Sequence, residues 1–235
     1  MPVITFSGGM GSGAREIAQL VASRLGLDYV DREILARTAQ SLGVSVAVVE
    51  QRDERTATLG ERLASMLSNF LERSAMAGGE PALGPENLAV LLSRTYSQAI
   101  SERPDGPPEL DERRYVGTIT GVIEALAEVG DVVLVGRGSP IILHDRPGSL
   151  HVLTMAPLET RVRRIALREE TTAEEATRQV HESDHGRAAF HRKFFKVAAD
   201  DPSLFDLVIR TERLSYEAGA DLAVTAVRAL EAPSA

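Results

Sequence analysis

The sequence predicts an α/β protein with a five-stranded parallel sheet covered by helices on both faces. Short apolar runs alternate with segments of helical periodicity along most of the chain, an order that is typical of parallel sheets. The run at residues 132–135 is continuously apolar, as expected for a strand buried on both faces. A glycine-rich turn between the first apolar run and the first helix adds a place for a ligand.

The elements follow in order along the chain. The predicted strands lie at residues 3–6, 27–31, 131–135, 149–155 and 205–210. The predicted helices lie at residues 16–25, 32–43, 45–52, 59–71, 88–96, 115–129, 157–168, 172–195 and 214–230. Because no strand-like alternation occurs between 44 and 103, we expect residues 44–110 to be a helical insertion. We expect the whole chain, 1–235, to be a single domain.

Composition narrows the classes of function. The formal net charge is −8, so the chain as a whole does not attract nucleic acid or an acidic membrane. The absence of cysteine excludes disulfides, thiolate metal sites and cysteine nucleophiles. No apolar run reaches the roughly 20 residues that a membrane span needs, and nothing at the N-terminus resembles a signal peptide. We therefore expect a cytoplasmic protein that binds neither a nucleic acid polymer nor a membrane.

The glycine loop, residues 8–15, is the strongest local signal. A strand, a glycine-rich turn and a helix follow one another here, which is the order of a phosphate-binding loop. Its candidate ligand-binding residues, with Glu16 following, are Gly8, Gly9, Gly11, Ser12, Gly13, Ala14 and Arg15. The usual pattern G-x-x-x-x-G-K-[ST] is only half present, since Ala14 stands at the lysine position and Arg15 at the Ser/Thr position. The loop is either a damaged nucleotide site or a different version of one.

Arginines follow the other strands at the edge where ligands bind in open α/β sheets. Asp31 and Arg32 follow the second strand, and Arg137 lies between two glycines after the third. Arg161 and Arg164 share one helix face with Arg168 after the fourth strand. The polar segment 172–198 contains Arg187 and Arg192, which suits a mobile lid in phosphoryl transfer.

These segments together resemble the cytidylate kinase-like family of nucleoside monophosphate kinases. The resemblance rests on residues 11–17, 29–33, 135–138, 182–192 and 201–207, and it spans nearly the whole chain. It implies a P-loop fold of three layers with a helical lid, and phosphoryl transfer from ATP, with Mg²⁺, to CMP or dCMP.

The resemblance also implies roles for single residues. The glycine loop binds the ATP phosphates, with Arg161 and Arg164 near ATP. Asp31, Arg32, Arg37 and Arg137 lie at the acceptor nucleotide. Arg187 and Arg192 are lid arginines, and Arg15 joins Arg137 as a candidate for stabilising charge during transfer. Glu16, Asp31 and Glu33 are the nearest carboxylates for Mg²⁺, and no residues are assigned as a dedicated metal site.

Two departures from true cytidylate kinases keep other functions open. Those enzymes have a lysine where this chain has Ala14, and aspartates where it has Val135 and Gly138. A nucleotide-binding protein of kinase ancestry, acting as a sensor or a partner-binding module, therefore remains an alternative. A kinase for another small acceptor is a third possibility, because the insertion would rebuild the acceptor side. Separately, the insertion is a candidate homodimer contact.

Several of these residues also have ordinary structural explanations. Asp31 is a helix N-cap as readily as a site residue. The three arginines at 161, 164 and 168 form an exposed helix face as readily as an ATP contact. His181 and His185 have the i, i+4 spacing of metal ligands, but no third ligand follows them, so surface positions are expected.

Overall fold

The computed structural model describes residues 1–37, 59–76, 85–95 and 112–231. Several predicted segments lie outside these residues. They are the helix at 45–52, the end of the helix at 32–43 and the end of the helix at 88–96.

Five strands form one sheet, in the spatial order β2-β3-β1-β4-β5. The strands are β1 (Val3–Gly8), β2 (Asp28–Val30), β3 (Val132–Val135), β4 (Ser149–Met155) and β5 (Leu207–Arg210). β1 pairs in parallel with β3 on one side and with β4 on the other, and β4 pairs in parallel with β5. The register sets Gly8, the last residue of β1, beside Thr154. The predicted five-stranded parallel sheet is confirmed.

Helices connect the strands. Residues 32–37 form the described part of α2. The other helices are α1 (Ala14–Leu25), α3 (Leu59–Met76), α4 (Pro85–Ser93), α5 (Glu112–Val129), α6 (Ser139–Ile142), α7 (Leu158–Arg168), α8 (Ala173–Phe190) and α9 (Tyr216–Glu231). A π-helical turn, His191–Phe195, extends α8, and a 3-10 turn, Pro202–Leu204, precedes β5.

Most element bounds agree with the sequence, and the differences occur at element ends. β4 has its predicted bounds, whereas β2 and β5 are shorter than predicted. α1 begins at Ala14, two residues before the expected start, because Gly13 supplies a left-handed N-cap. The single helix expected at 172–195 changes to π geometry at His191 and ends at Lys196, whose φ is 62°. α6 is absent from the predicted helices, because four residues are too few to show helical periodicity.

The core lies on both faces of the sheet. On one face, Ile4 and Phe6 of β1 pack with apolar side chains of α1 and α9 in one buried cluster. On the other face, Ser7 of β1 accepts a hydrogen bond from Arg187 of α8. Apolar burial of this kind contributes about 25 cal/mol per Å². The sheet is thus a rigid platform, and the carboxyl end of β1 emerges at its edge.

The chain divides into two compact units. The first contains the sheet with α1 and α6–α9. The second begins at Val30 and contains α2–α5, where α3 packs against α5 through buried residues that include Leu67 and Val122. The predicted insertion at 44–110 falls partly in this unit and stays a prediction. Within the described residues, no helix has the length and apolar character needed to cross a bilayer.

Candidate functional site

The glycine loop has the backbone geometry that its sequence requires. Gly11 and Gly13 have φ values of 77° and 93°, in the region that other residues rarely adopt. The Ser12 N–H donates to the Gly9 carbonyl at 3.0 Å, which closes a tight turn before α1 begins. The positive end of the α1 dipole therefore meets the loop.

The carbonyl groups of the loop are held on one side. Three consecutive carbonyls accept hydrogen bonds there: Met10 from Arg161 Nη1 at 3.4 Å, Gly11 from Arg164 Nη1 at 3.1 Å, and Ser12 from Thr211 Oγ1 at 2.7 Å. In a trans peptide the N–H points opposite to the carbonyl of the preceding residue. The Ser12 N–H closes the turn on the Gly9 carbonyl, and the Gly11 and Gly13 N–H groups are directed away from the donors that hold the carbonyls. Backbone N–H groups arranged in this way form an anion-binding concavity.

Close packing explains why the loop needs its glycines. A Cβ at Gly8 would meet Ser12 Oγ and would lie 2.7 Å from the Thr154 carbonyl. A Cβ at Gly9 would lie 2.6 Å from Arg161 Nη1, and one at Gly11 would lie 2.8 Å from the Arg161 carbonyl. Such distances are shorter than real Cβ contacts. β4 and α7 thus hold the loop on both sides.

A buried pair of hydroxyl groups fixes the loop to the sheet. Ser12 Oγ and Thr154 Oγ1 are 2.7 Å apart, and both side chains are almost completely buried. Thr154 lies at the carboxyl end of β4, beside Gly8 in the strand register. The sequence placed Ser12 in the site, and the structure gives it this anchoring contact.

Arg164 connects the loop with the segment after β5. Its guanidinium donates to the Thr211 carbonyl at 2.6 Å and to Thr211 Oγ1 at 2.8 Å, and it lies 5.0 Å from the centre of the Tyr216 ring. Tyr216 in turn contacts the backbone position of Gly13. Burial, with the negative charge of Glu16, raises the pKa of the Tyr216 phenol. Arg164 is therefore a clamp on the loop and not an exposed helix residue.

Arg161 forms a two-pronged ion pair with Asp184 of α8. Its Nη1 and Nη2 donate to the two carboxylate oxygens at 2.9 and 2.8 Å. The arginine side chain is 13% exposed and the aspartate side chain 34%. Both charged groups lie against Gly9, where an added Cβ would be 2.9 Å from Asp184 Oδ1. The pair thus joins α7 and α8 at the second residue of the glycine loop.

Arg187, one of the predicted lid arginines, is buried, with only 5% of its surface exposed. It donates to Asp200 Oδ1 at 2.7 Å, to Ser7 Oγ at 3.0 Å and to the Ala199 carbonyl at 2.9 Å. Ser7 immediately precedes the glycine loop. The structure therefore brings Arg187 to the carboxyl end of β1, where it bridges α8 and the sheet.

Arg137 lies in a tight turn after β3. Gly136, Arg137 and Gly138 have φ values of 78°, 61° and 75°, so all three adopt left-handed geometry. The Arg137 side chain is 4% exposed. A Cβ at Gly138 would meet the Phe195 ring at 2.6 Å, so the π-helical turn packs directly on this turn. A non-glycine residue with positive φ is strained, which marks Arg137 as a position to test.

Four other predicted residues of this unit lie in the first turn of α1 or on the π-helical turn. Arg15 and Glu16 lie half-buried in the first turn of α1, and Glu16 Oε1 is 3.7 Å from Arg168 Nη1. Arg192 is exposed on the π-helical turn. Ala14, at the usual lysine position, is 8% exposed.

Three of the four predicted acceptor residues, Asp31, Arg32 and Arg37, belong to the second unit, whereas Arg137 belongs to the first. Asp31 caps α2, because its Oδ1 accepts from the Glu33 and Ile34 N–H groups at 3.0 Å each. Arg32 Nη1 donates to the Ser93 carbonyl at 3.3 Å. Arg37 is 3.8 Å from Glu33 across one helical turn, and its side chain is exposed. The capping role of Asp31 is thus present, and the acceptor role of all three remains a prediction.

Comparison with known proteins identifies the family. The model of the cytidylate kinase-like family matches residues 3–213, which is most of the chain. The chain belongs to the cytidylate kinase-like family. It is 32% identical over 130 residues to a cytidylate kinase of Methanopyrus kandleri, a match that covers 52% of this chain and 63% of that protein. It is 27% identical over 216 residues to a cytidylate kinase of Pyrobaculum aerophilum, which covers 92% of this chain and 86% of that protein.

A solved structure supports the fold of this family member. An uncharacterized protein from Eubacterium ventriosum ATCC 27560 superposes with a TM-score of 0.60 at 15% identity, covering 97% of this chain and 99% of that one. At that identity the likeness concerns the fold alone.

The sequence did not reveal several partners in the site of this family member. Three of these partners are distant in the chain from the predicted residues that they contact: Thr154, Thr211 and Tyr216. The fourth, Asp200, is nearer in the chain to its partner Arg187. For two of them position is a signal of a site contact, since Thr154 and Thr211 lie at the carboxyl ends of β4 and β5. Asp184 belongs to the motif that carried the resemblance, but no role followed from it.

The described residues contain no group of three or more His, Cys, Asp or Glu side chains suited to a metal ion. Mg²⁺ binds nucleotide phosphates with one or two protein carboxylates and several waters. Glu16 lies in the first turn of α1, and its role toward Mg²⁺ stays a prediction.

His191 makes stability of the fold depend on pH. Its Nδ1 is 2.8 Å from the Arg187 carbonyl, so the neutral ring donates its proton there. Burial, the largest cause, lowers the pKa of His191 to about 4. Because an unfolded histidine titrates near 6.5, the unfolded state binds more protons between these values, and stability falls as the pH drops from about 6.5 to about 4.

Replacing His191 with asparagine is expected to remove this pH dependence. Asparagine keeps a donor near Nδ1 but does not titrate, so the variant lacks the loss of about 3 kcal/mol of stability that His191 causes as the pH falls from about 6.5 to about 4. Urea unfolding of both proteins at pH 4.5, 5.5 and 7 measures the difference. Equal pH dependence in the two proteins would contradict this account.

Proposed function

We propose that this member of the cytidylate kinase-like family is an ATP-dependent nucleoside monophosphate kinase with CMP or dCMP as acceptor. The observation that carries the proposal is the orientation of the glycine loop, whose three consecutive carbonyls are held against α7 and the end of β5. This leaves the Gly11 and Gly13 N–H groups and the α1 N-terminus for phosphate oxygens. The names of the two relatives, both cytidylate kinases, support the choice of acceptor.

On the donor side, the chain binds and neutralises phosphate. The glycine loop donates backbone hydrogen bonds, and Arg161 and Arg164 add positive charge beside it. Arg15 takes over the charge that the usual lysine carries, from one position further along α1. Glu16 would hold Mg²⁺, which supplies charge neutralisation at the phosphates when it is bound.

On the acceptor side, the chain orients the nucleophile. Asp31, Arg32 and Arg37 position the nucleoside monophosphate, and Arg137 contacts its phosphate or base. Arg187 and Arg192 stabilise negative charge on the transferring group. Transfer is in line, and its rate depends mainly on positioning and on these fixed charges.

Replacing Arg15 with alanine is expected to lower kcat by about 100-fold, the loss typical of one fixed charge at a transition state. The reason is that Ala14 provides no cation at the lysine position. Arg15→Lys should recover part of the rate, because the charge is kept. The test is steady-state kinetics with ATP and CMP, with Arg24→Ala, a substitution near the other end of α1, as the control. A normal kcat in Arg15→Ala would contradict the role.

A second function has specific support and is kept as the alternative. Ala14 is buried and neutral, and the two best-defined arginines, Arg161 and Arg187, are already paired with aspartates. These features suit a nucleotide-binding protein that senses ATP, or binds a partner, without efficient transfer.

One experiment separates the two functions. The purified chain is mixed with ATP, Mg²⁺ and each of the common nucleoside monophosphates, and ADP release is followed while ATP binding is measured by calorimetry. Release that depends on CMP or dCMP supports the kinase. ATP binding without ADP release for any acceptor supports the alternative. A chain that neither binds ATP nor releases ADP overturns both functions.

A further inference from the structure

We propose that Asp184 is an internal counter-ion that competes with nucleotide phosphate for Arg161. The inference rests on the proposed function, since it concerns the arginine expected beside the donor phosphates. It adds a role for Asp184 as a positioning residue that sets how tightly the glycine loop binds ATP.

The geometry of the pair is the first argument. The guanidinium fork of Arg161 is filled by the two carboxylate oxygens of Asp184, at 2.9 and 2.8 Å. A planar fork accepts a carboxylate and a phosphate in the same two-pronged manner. The Nη1/Nη2 edge cannot make both sets of bonds, so a phosphate that binds this edge must replace Asp184.

The position of the pair is the second argument. Arg161 Nη1 and Asp184 Oδ1 would lie 2.6 and 2.9 Å from a Cβ at Gly9, so both charges touch the loop itself. The same Nη1 also donates to the Met10 carbonyl at 3.4 Å. The pair therefore lies against the loop at Gly9, so a phosphate that reaches the Arg161 guanidinium there meets Asp184 as its competitor.

Two neighbouring arginines already have partners of their own. Arg164 is committed to Thr211 and Gly11, and Arg187 to Asp200, Ser7 and Ala199. Asp184 thus acts through Arg161, and its release links ATP binding to the contact between α7 and α8. ATP binding at the glycine loop is thereby coupled to movement of the polar segment 172–198, which is expected to close over the loop.

The test is calorimetric ATP binding by the full chain without acceptor. Asp184→Asn is expected to lower the Kd for ATP by about fivefold to tenfold, the range for a partly buried ion pair. The matched control is Glu182→Gln, which removes a carboxylate two residues away on α8, 3.8 Å from Arg178, and is expected to leave the Kd unchanged. Thermal unfolding checks each variant, and Asp184→Ser repeats the measurement if the asparagine variant is unstable.

A double-mutant comparison separates competition for Arg161 from simple charge repulsion. In an Arg161→Ala background, Asp184→Asn should no longer change the Kd, because the shared partner is gone. An equal tightening in that background, or weaker binding by Asp184→Asn, would overturn the proposal. ATP binding by the wild type with no effect of Asp184→Asn overturns this inference alone. No ATP binding by either protein overturns the proposed function as well.

Discussion

Replacing Gly11 with alanine is expected to weaken ATP binding by at least about 100-fold, since the change disturbs the backbone that makes the anion site. Gly11 has a φ of 77°, and an alanine Cβ would lie 2.8 Å from the Arg161 carbonyl and 3.1 Å from the Arg161 Cα. Neither neighbour is the flexible end of a side chain, so the loop or α7 must shift. The shift would turn the loop carbonyls from their present donors and lose the convergence of N–H groups.

Gly26→Ala is the matched control for this substitution. Gly26 also has a positive φ, 66°, but no atom lies within 4 Å of the position of an added Cβ. The control should lose about 1 kcal/mol of stability through backbone strain while its Kd for ATP stays unchanged. Calorimetry on both variants decides the matter. Similar ATP affinity in Gly11→Ala and wild type would show that the loop is a structural turn only.

Replacing Arg137 with alanine is expected to lower kcat by about 10²- to 10³-fold with little change in the Kd for ATP. Arg137 is buried and strained at the carboxyl end of β3, in a turn on which Phe195 packs. We expect the side chain to serve the acceptor and the transferring charge, not the donor loop, so the loss should fall on the chemical step. Steady-state kinetics with CMP, together with ATP calorimetry, measures both quantities.

The control for Arg137 is an arginine at the end of another strand. Arg210 ends β5, is exposed and pairs with Glu212 at 3.1 Å, so Arg210→Ala should keep the wild-type kcat. Arg137→Lys should keep the charge but lose the planar fork, and its rate should lie between those of the alanine variant and the wild type. A near-normal kcat in a folded Arg137→Ala variant would reject the role.

Local patterns in the sequence predicted the elements of the first unit well. The continuous apolar run of β3 predicts a strand buried on both faces, and its first three residues are buried. The helix predicted at 172–195 is helical over nearly that range, but its last turn, His191–Phe195, has π geometry, and Phe195 packs against Gly138. That contact joins residues far apart in the chain, and no local pattern reports it.

The candidate site divides in the same way. Glycine spacing predicted the loop, and the resemblance to the family predicted Arg161 and Arg164 beside it. Asp184 and Thr211 hold those arginines in place. Both contacts depend on the packing of α7 against α8 and β5. Arg187 illustrates the limit most clearly, since a segment read as a mobile lid carries an arginine that is buried against Ser7 and Asp200.

The most direct test of the central claim is the transfer of label from γ-labelled ATP to CMP in a single turnover, with the enzyme in excess. We predict that labelled CDP forms in step with the loss of labelled ATP, and that the Gly11→Ala protein forms none. Label that stays in ATP, or appears only as inorganic phosphate, would contradict the claim that this glycine loop serves phosphoryl transfer to a nucleoside monophosphate.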